Sequence, residues 1–187
     1  MKSWAEDNLL GRVRESGKIV ARDKEHLSQI IKQRIEEFGP NCDLNDIDVS
    51  QVTDMSELFW GTTWGASFNG DISNWDVSNV TSMNSMFRVT RFNGDISNWD
   101  VSNVRDMSEM FKHSKFNRDI SKWNVSNVEN MNYMFEFSEF KGDISNWNVS
   151  RVRSYNWMFK DSPLEGHEPK WWYIGGPRYG YTLSGKN

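Results

Sequence analysis

Large apolar residues recur along this chain at one fixed interval, with small polar residues between them. The block FNGDISNWDVSNV begins at Phe68 and returns, with few changes, at Phe92, Phe116 and Phe140, so that successive starts lie 24 residues apart. A degenerate first copy begins at Asp43, and every copy is followed by a second half that ends in Met-Phe or Leu-Phe. One such unit cannot bury its own apolar groups, so repeats of this length predict a solenoid in which each unit stacks on the next.

Equivalent apolar residues of the copies are expected to form five rows along the stack and to build its core. The rows are Ile72, Ile96, Ile120 and Ile144; Trp75, Trp99, Trp123 and Trp147; Val80, Val104, Val128 and Val152; Met86, Met110, Met134 and Met158; and Phe87, Phe111, Phe135 and Phe159. Within each repeat, DISNWDV has the pattern of a short strand, and VTSMNSMF carries apolar residues at helical spacing. The predicted fold class is an α/β repeat protein with short parallel strands and short α or 3₁₀ segments.

The residues before the repeats are predicted to cap the first coil. Residues 18–21 indicate a brief strand, Asp23 is a plausible helix N-cap, and a helix is expected over residues 24–38 until Gly39 and Pro40 end it. The helix carries one apolar stripe, which consists of Leu27, Ile30, Ile31, Ile35 and Phe38. His26 is predicted to be a solvated surface group.

The residues after the repeats are predicted to seal the last coil. This tail contains Trp171, Trp172, Tyr173, Tyr179 and Tyr181 among glycines and prolines. A cap is favoured over an exposed aromatic binding surface, because an unsealed end would expose a hydrophobic edge. The predicted boundaries are an N-terminal arm at residues 1–17, a strand–helix cap at 18–42, five coils at 43–159 and a C-terminal cap at 160–187.

Composition and charge exclude several classes of protein. The net charge is -4 over 187 residues with both signs interspersed, which argues against a nucleic-acid partner. No apolar run is long enough to span a membrane, and no secretory signal is visible, so the chain as written is expected to be cytoplasmic. The single cysteine, Cys42, excludes an intramolecular disulfide framework. The oligomeric state is left open.

The repeat motif carries a resemblance to a known family. The pattern F-N-x-D-I-S-x-W-[DN]-V-S-N-V-x-x-M-x-x-M-F resembles the repeat of BspA-type leucine-rich-repeat surface proteins, including the Mycoplasma lipoprotein repeat group. The resemblance covers residues 18–159 and includes the segment LSQIIKQRIEEFGPNCDLNDIDVSQVTDMSELF before the regular copies. It implies a leucine-rich-repeat-like solenoid, display at a bacterial surface and binding to other macromolecules. No lipobox is visible in this chain, so its localisation stays open.

No catalytic constellation is found, and neither an enzyme activity nor a cofactor is predicted. His26, His113 and His167 are far apart in sequence and have no metal-ligand companion at helical or hairpin spacing. Cys42 occupies the repeat position of Gly70 and is expected to be a small packed residue. The recurring aspartates are expected to accept turn amides, whereas calcium would need more oxygen ligands than one repeat supplies. These aspartates are Asp71, Asp95, Asp119 and Asp143.

The repeats differ most in the loop between the Met-Phe that ends one copy and the Phe that begins the next. These loops are residues 60–67, 88–91, 112–115 and 136–139, and stacking is expected to place them side by side as one binding edge. The predicted function is a non-enzymatic protein-interaction module, bacterial or carried by a bacterial genetic element. The alternatives are a carbohydrate-binding adhesin that uses exposed aromatics, or loops that are merely solvated. The candidate partner-binding residues are Trp60, Trp64, Arg88, Arg91, Lys112, His113, Lys115, Glu136, Phe137 and Glu139.

Overall fold

A computed structural model describes residues 17–174 of the chain. Its helices and strands are β1 (Ile19–Val20), α1 (Lys24–Phe38), β2 (Ile47–Asp48), α2 (Thr63–Ser67) and α3 (Trp171–Ile174). The N-terminal arm before Gly17, and the tail residues Tyr179 and Tyr181, lie outside the described residues. None of the helices described is long and apolar enough to cross a membrane.

The N-terminal strand and helix are confirmed. The Asp23 carboxylate accepts the His26 backbone N–H at 2.8 Å, which caps α1, and the helix ends at Gly39 with a φ of 85°. Leu27, Ile30, Ile31 and Ile35 are buried as expected. The backbone N–H of Ile19 donates to Asp46 and that of Ala21 to Asp48, both at 2.9 Å, so this segment is hydrogen-bonded to the first repeat.

Two expectations about helix α1 are wrong. His26 is buried rather than solvated, because it lies one helical turn before Ile30 on the same face. Its Nδ1 accepts the backbone N–H of Arg22 at 3.3 Å. Phe38 is 58% exposed rather than buried, since it lies at the end of the helix, where the guanidinium of Arg34 lies 5.5 Å from its ring centroid.

All five predicted rows are buried, and the core assignment is confirmed. The side chains of these rows expose 8% of their surface or less, and they form one continuous cluster with the buried face of α1. Aromatic rings stack from repeat to repeat, as with Phe87 on Phe111 at 5.8 Å and Phe111 on Phe135 at 5.7 Å. The same interval that makes the sequence repetitive therefore places equivalent side chains in contact.

Each tryptophan of the core also ties its repeat to the one before it. The indole N–H of Trp99 donates to the carbonyl of Ile72 at 3.2 Å, and that of Trp123 donates to Ile96 at 3.1 Å. Asparagines make a second series of links, because the Asn69 Oδ1 atom accepts the backbone N–H of Asn93 at 2.8 Å. The indole bonds satisfy buried polar groups, and the asparagine bonds add links at the surface.

Regular secondary structure within the repeats is sparser than expected. Parallel pairing between successive repeats is one residue wide, and the only ladder longer than that among residues 17–174 joins Ile19–Val20 to Ile47–Asp48. The segment VTSMNSMF forms turns instead of a helix, because Ser85 has a φ of 54° and a right-handed helix cannot pass through it. The segment DISNWDV forms turns because Asp71 folds back onto the N–H of Ser73 at 2.9 Å.

The C-terminal aromatics within the described range act as a cap. Trp171 lies 24 residues after Trp147 and its indole N–H donates to the Ile144 carbonyl at 2.9 Å, so it extends the tryptophan series. Trp172 contacts Phe159 with ring centroids 5.0 Å apart, and both tryptophans pack against the core. Tyr173 is exposed and does not share this role.

The recurring aspartates make stability depend on pH. The backbone N–H and hydroxyl of Ser73 hold the pKa of Asp71 below its ordinary value, and the equivalent serines act in the same way on Asp95, Asp119 and Asp143. A carboxylate with a lowered folded pKa stabilises the protein above its unfolded pKa of about 4 and loses that contribution as the pH falls through the folded value. The free energy of unfolding should therefore decrease as the pH is lowered below about 4.

Replacing these four aspartates by asparagine should weaken the loss of stability at acidic pH. The change keeps the turn, since Asn124 Oδ1 already accepts the N–H of Ser126 at 3.2 Å, but it removes the titration. Denaturant unfolding from acid to neutral pH would compare the variant with the wild type. An identical pH dependence in both would show that the row does not cause the decline.

Candidate interaction edge

The backbone brings the four variable loops together, as predicted. The N–H of Arg91 donates to Ala66 at 3.2 Å, that of Lys115 to Thr90 at 3.1 Å, and that of Glu139 to Ser114 at 3.2 Å. Thr62 caps α2 in the longer first loop by accepting the Gly65 N–H at 2.9 Å. Residues 60–67, 88–91, 112–115 and 136–139 thus form one surface, the interaction edge.

The first residues after each Met-Phe form an inner row, which consists of Trp60, Arg88, Lys112 and Glu136. Arg88 pairs with Glu109 at 2.7 Å, and Lys112 lies 3.6 Å from Glu109 and 2.7 Å from Glu136. Glu136 is only 6% exposed. Each of the three charged side chains therefore has an oppositely charged neighbour, either Glu109 or another residue of the edge. That these residues bind a partner stays a prediction.

The two tryptophans of the first loop pack against other residues of the chain. Trp60 is half-buried, and the guanidinium of Arg88 lies 4.6 Å above its ring. Trp64 packs edge-on against Phe59, with ring centroids 5.9 Å apart, and belongs to the periphery of the core. The longer loop that carries them folds back as α2, which explains why both rings find partners within the chain.

An outer row of exposed side chains follows the inner row. Its members are Gly61, Val89, His113, Phe137 and Asp161, and each has a positive φ between 54° and 73°. Val89 is 51% exposed and Phe137 45%, and the ring of His113 stacks on that of Phe137 at 4.6 Å. Sequence analysis identified His113 and Phe137 but missed Val89. These residues align with Gly61 in the first loop, and a glycine at the equivalent position was the sequence signal for a positive φ there.

This outer row carries residues that its backbone disfavours. A left-handed conformation costs a residue with a side chain about 1–2 kcal/mol, and a β-branched valine there is unusual. Glycine, which the first repeat has at position 61, avoids that cost. The side chains at positions 89 and 137 are also exposed rather than packed in the core. Sites that retain such strain are candidates for function.

Beyond the outer row, the edge alternates between buried and exposed side chains. Thr90, Ser114 and Ser138 are buried, and the Thr90 hydroxyl donates to the Phe87 carbonyl at 2.7 Å. The next residues, Arg91, Lys115 and Glu139, are exposed and form a charged row. Lys115 pairs with Glu139, whereas Arg91 has no carboxylate within 4.0 Å among residues 17–174.

The Val89→Gly variant should be as stable as the wild type or up to about 1 kcal/mol more stable. Glycine removes the strain of a valine at positive φ, and this gain outweighs the larger backbone entropy that glycine loses on folding. Thr90→Gly is the matched control, since it removes a buried hydroxyl bond and should lower the free energy of unfolding by more than about 1 kcal/mol. Denaturant unfolding measures both. A loss above about 1 kcal/mol in Val89→Gly would assign Val89 a structural role.

A shallow groove lies next to this edge, between α1 and the first repeat. Its volume is about 390 Å³, and Lys24, Ser28 and Glu57 are among its lining residues. The Lys24 ammonium is already bound to Asp54 at 3.1 Å and to the Ser56 hydroxyl at 3.0 Å. Within the described part of the chain, no three or more His, Cys, Asp or Glu residues are grouped so that they could hold a metal ion.

Comparison with known proteins gives one positive result. Neither the curated proteins nor the solved structures gave a match. The family model described as "Mycoplasma protein of unknown function, DUF285" matches residues 26–136 and again residues 66–172. The two matches overlap and together include most of helix α1, the repeats and Trp171. Because they cover well over half of the chain, the protein belongs to this Mycoplasma family.

Proposed function

We propose that this protein is a non-enzymatic bacterial interaction module whose interaction edge binds a protein partner. The observation that carries the proposal is the outer row, in which Val89, His113 and Phe137 are exposed at positive φ. The proposal includes the fold class, a leucine-rich-repeat-like solenoid, and the finer relationship to BspA-type surface proteins. Both are supported by the repeat-to-repeat hydrogen bonds and by the DUF285 match.

The contrast between constant core positions and variable edge positions within each repeat supports binding at this edge. Core positions are nearly identical from copy to copy, whereas the edge changes in charge and shape. A stack of this kind can vary one edge without disturbing its core. The inner row adds rigidity, because the ion pairs Arg88–Glu109 and Lys112–Glu136 link successive repeats. A rigid surface loses less entropy when it binds.

A photo-crosslinking experiment tests the proposal. A photoreactive amino acid is placed at position 89 or 137, and at Lys122 as a matched exposed position outside the edge. Bacterial and host lysates are irradiated, and the adducts are identified by mass spectrometry. The expected result is a common protein adduct at positions 89 and 137 but not at 122. Equal labelling from all three positions would contradict the proposal.

The structure gives no support to a carbohydrate-binding surface built from exposed aromatics. That alternative relied on Trp60, Trp64 and the tail aromatics as exposed platforms. Arg88 covers Trp60, Trp64 packs on Phe59, and the described tail tryptophans pack on the last repeat. Tyr173 alone among these described aromatics is strongly exposed.

A further inference from the structure

We infer that the interaction edge recognises a short acidic–apolar polypeptide segment, in which a carboxylate binds Arg91 and an apolar side chain packs on the outer row. The inference rests on the proposed function and adds the chemistry of the partner. It also assigns the direction in which that segment lies along the edge.

The charge of the edge is the first observation. Arg88 and Lys112 are neutralised by Glu109 and Glu136, and Lys115 by Glu139. Arg91 is exposed and has no such partner among residues 17–174. The unmatched charge on the edge is therefore a single guanidinium, whose planar fork fits a carboxylate.

The arrangement of the apolar groups is the second observation. The N–H of Val89 donates to Lys112, that of His113 to Glu136, and that of Phe137 to Lys160, each at 2.9 Å. These bonds hold the outer row in register, with neighbouring repeats about 4.8 Å apart as in parallel pairing. His113 lies flat on Phe137, with an interplanar angle of 5°. The result is a narrow exposed strip, one residue wide in each repeat.

Arg91 and Val89 are two residues apart and both exposed, whereas the residue between them is buried. Thr90 is buried and its hydroxyl is bound to Phe87. A carboxylate on Arg91 thus lies beside Val89, at one end of the strip. At the other end, the next member of the outer row is Asp161, whose N–H is bound by the Glu165 carboxylate at 2.8 Å. The Asp161 carboxylate disfavours an acidic group at this end, so the apolar end of the segment lies at Phe137.

Selection from a library of random short peptides displayed on phage tests this chemistry. The full chain is used as wild type, Arg91→Glu, Phe137→Gly and Lys122→Glu, the last being an exposed substitution outside the edge. Peptides selected by the wild type should combine Asp or Glu with an aromatic or aliphatic residue. The affinity of the best synthetic peptide should fall at least about tenfold in Arg91→Glu and in Phe137→Gly. It should be unchanged in Lys122→Glu, and selection on Arg91→Glu should shift towards Lys and Arg.

The outcomes separate the inference from the proposed function. Peptides that depend on Phe137 but are not acidic and ignore Arg91→Glu would overturn the partner chemistry and leave binding at the edge intact. Peptides that respond to neither edge substitution, or no enrichment above the bare support, would overturn both. Far-ultraviolet circular dichroism and thermal unfolding of each variant ensure that lost binding is not lost folding.

Discussion

Replacement of Trp99 by alanine is expected to lower the free energy of unfolding by about 3–5 kcal/mol. The indole is 4% exposed, and its ring lies 6.4 Å from that of Trp75 and 6.3 Å from that of Phe87. Its removal leaves a cavity against the preceding repeat, to which both of these rings belong. It also frees the Ile72 carbonyl, which accepts the indole N–H at 3.2 Å. Domains of ordinary stability have only about 5–15 kcal/mol in total, so the loss should be severe.

Two further variants isolate the cause of this loss. Trp99→Phe keeps much of the ring but not the N–H donor, so it should cost less than alanine. Asn98→Ala changes the exposed neighbouring residue and should stay within about 0.5 kcal/mol of the wild type. Denaturant unfolding measures the change. If Trp99→Ala lowers the free energy of unfolding by less than about 1 kcal/mol, the tryptophan row does not stabilise the core.

Removal of residues 1–39 should abolish cooperative folding. Helix α1 buries Leu27, Ile30, Ile31 and Ile35 against the first repeat, and the preceding strand supplies hydrogen bonds to Asp46 and Asp48. Without them the first repeat exposes its apolar face and an unpaired backbone edge, both of which promote aggregation. Size-exclusion chromatography and thermal unfolding measure the result.

A point variant makes the same test within the full chain. Ile31→Asn places a polar amide in the buried face of α1. It should lower the free energy of unfolding by about 3–5 kcal/mol, because apolar burial is lost and the amide is left unsatisfied. Lys32→Asn is the matched control at the adjacent exposed position and should change little. A deletion variant that stays monomeric and unfolds cooperatively would show that α1 is a separate module rather than a cap.

The core and the N-terminal cap could be predicted from sequence because both follow from periodicity. Positions such as Ile96 and Val104 repeat at one interval, and stacking converts that interval directly into contact. The N-cap at Asp23 depends only on residues within one turn of it. The burial of His26 also follows from its spacing of four residues before Ile30, and only its polar residue type favoured exposure.

The edge was harder to predict because exposure there depends on backbone conformation. Arg88 and Val89 are neighbours in sequence, yet the first is held over Trp60 and the second is exposed. Residue type would favour the opposite arrangement, with the arginine exposed and the valine covered. The positive φ at Val89 turns its side chain outward, and only alignment with Gly61 hints at it. Similarly, the register of Trp171 with Trp147 was available in the sequence but obscured by the changed residues around it.

The most direct test of the account is the affinity of a triple variant for the protein captured through position 89. The variant carries Val89→Gly, His113→Gly and Phe137→Gly, so the outer row loses its side chains while the core rows stay intact. We expect its dissociation constant to rise by at least about 100-fold, with a free energy of unfolding within about 1 kcal/mol of the wild type. Unchanged affinity in this folded variant would contradict the claim that the outer row is the binding surface.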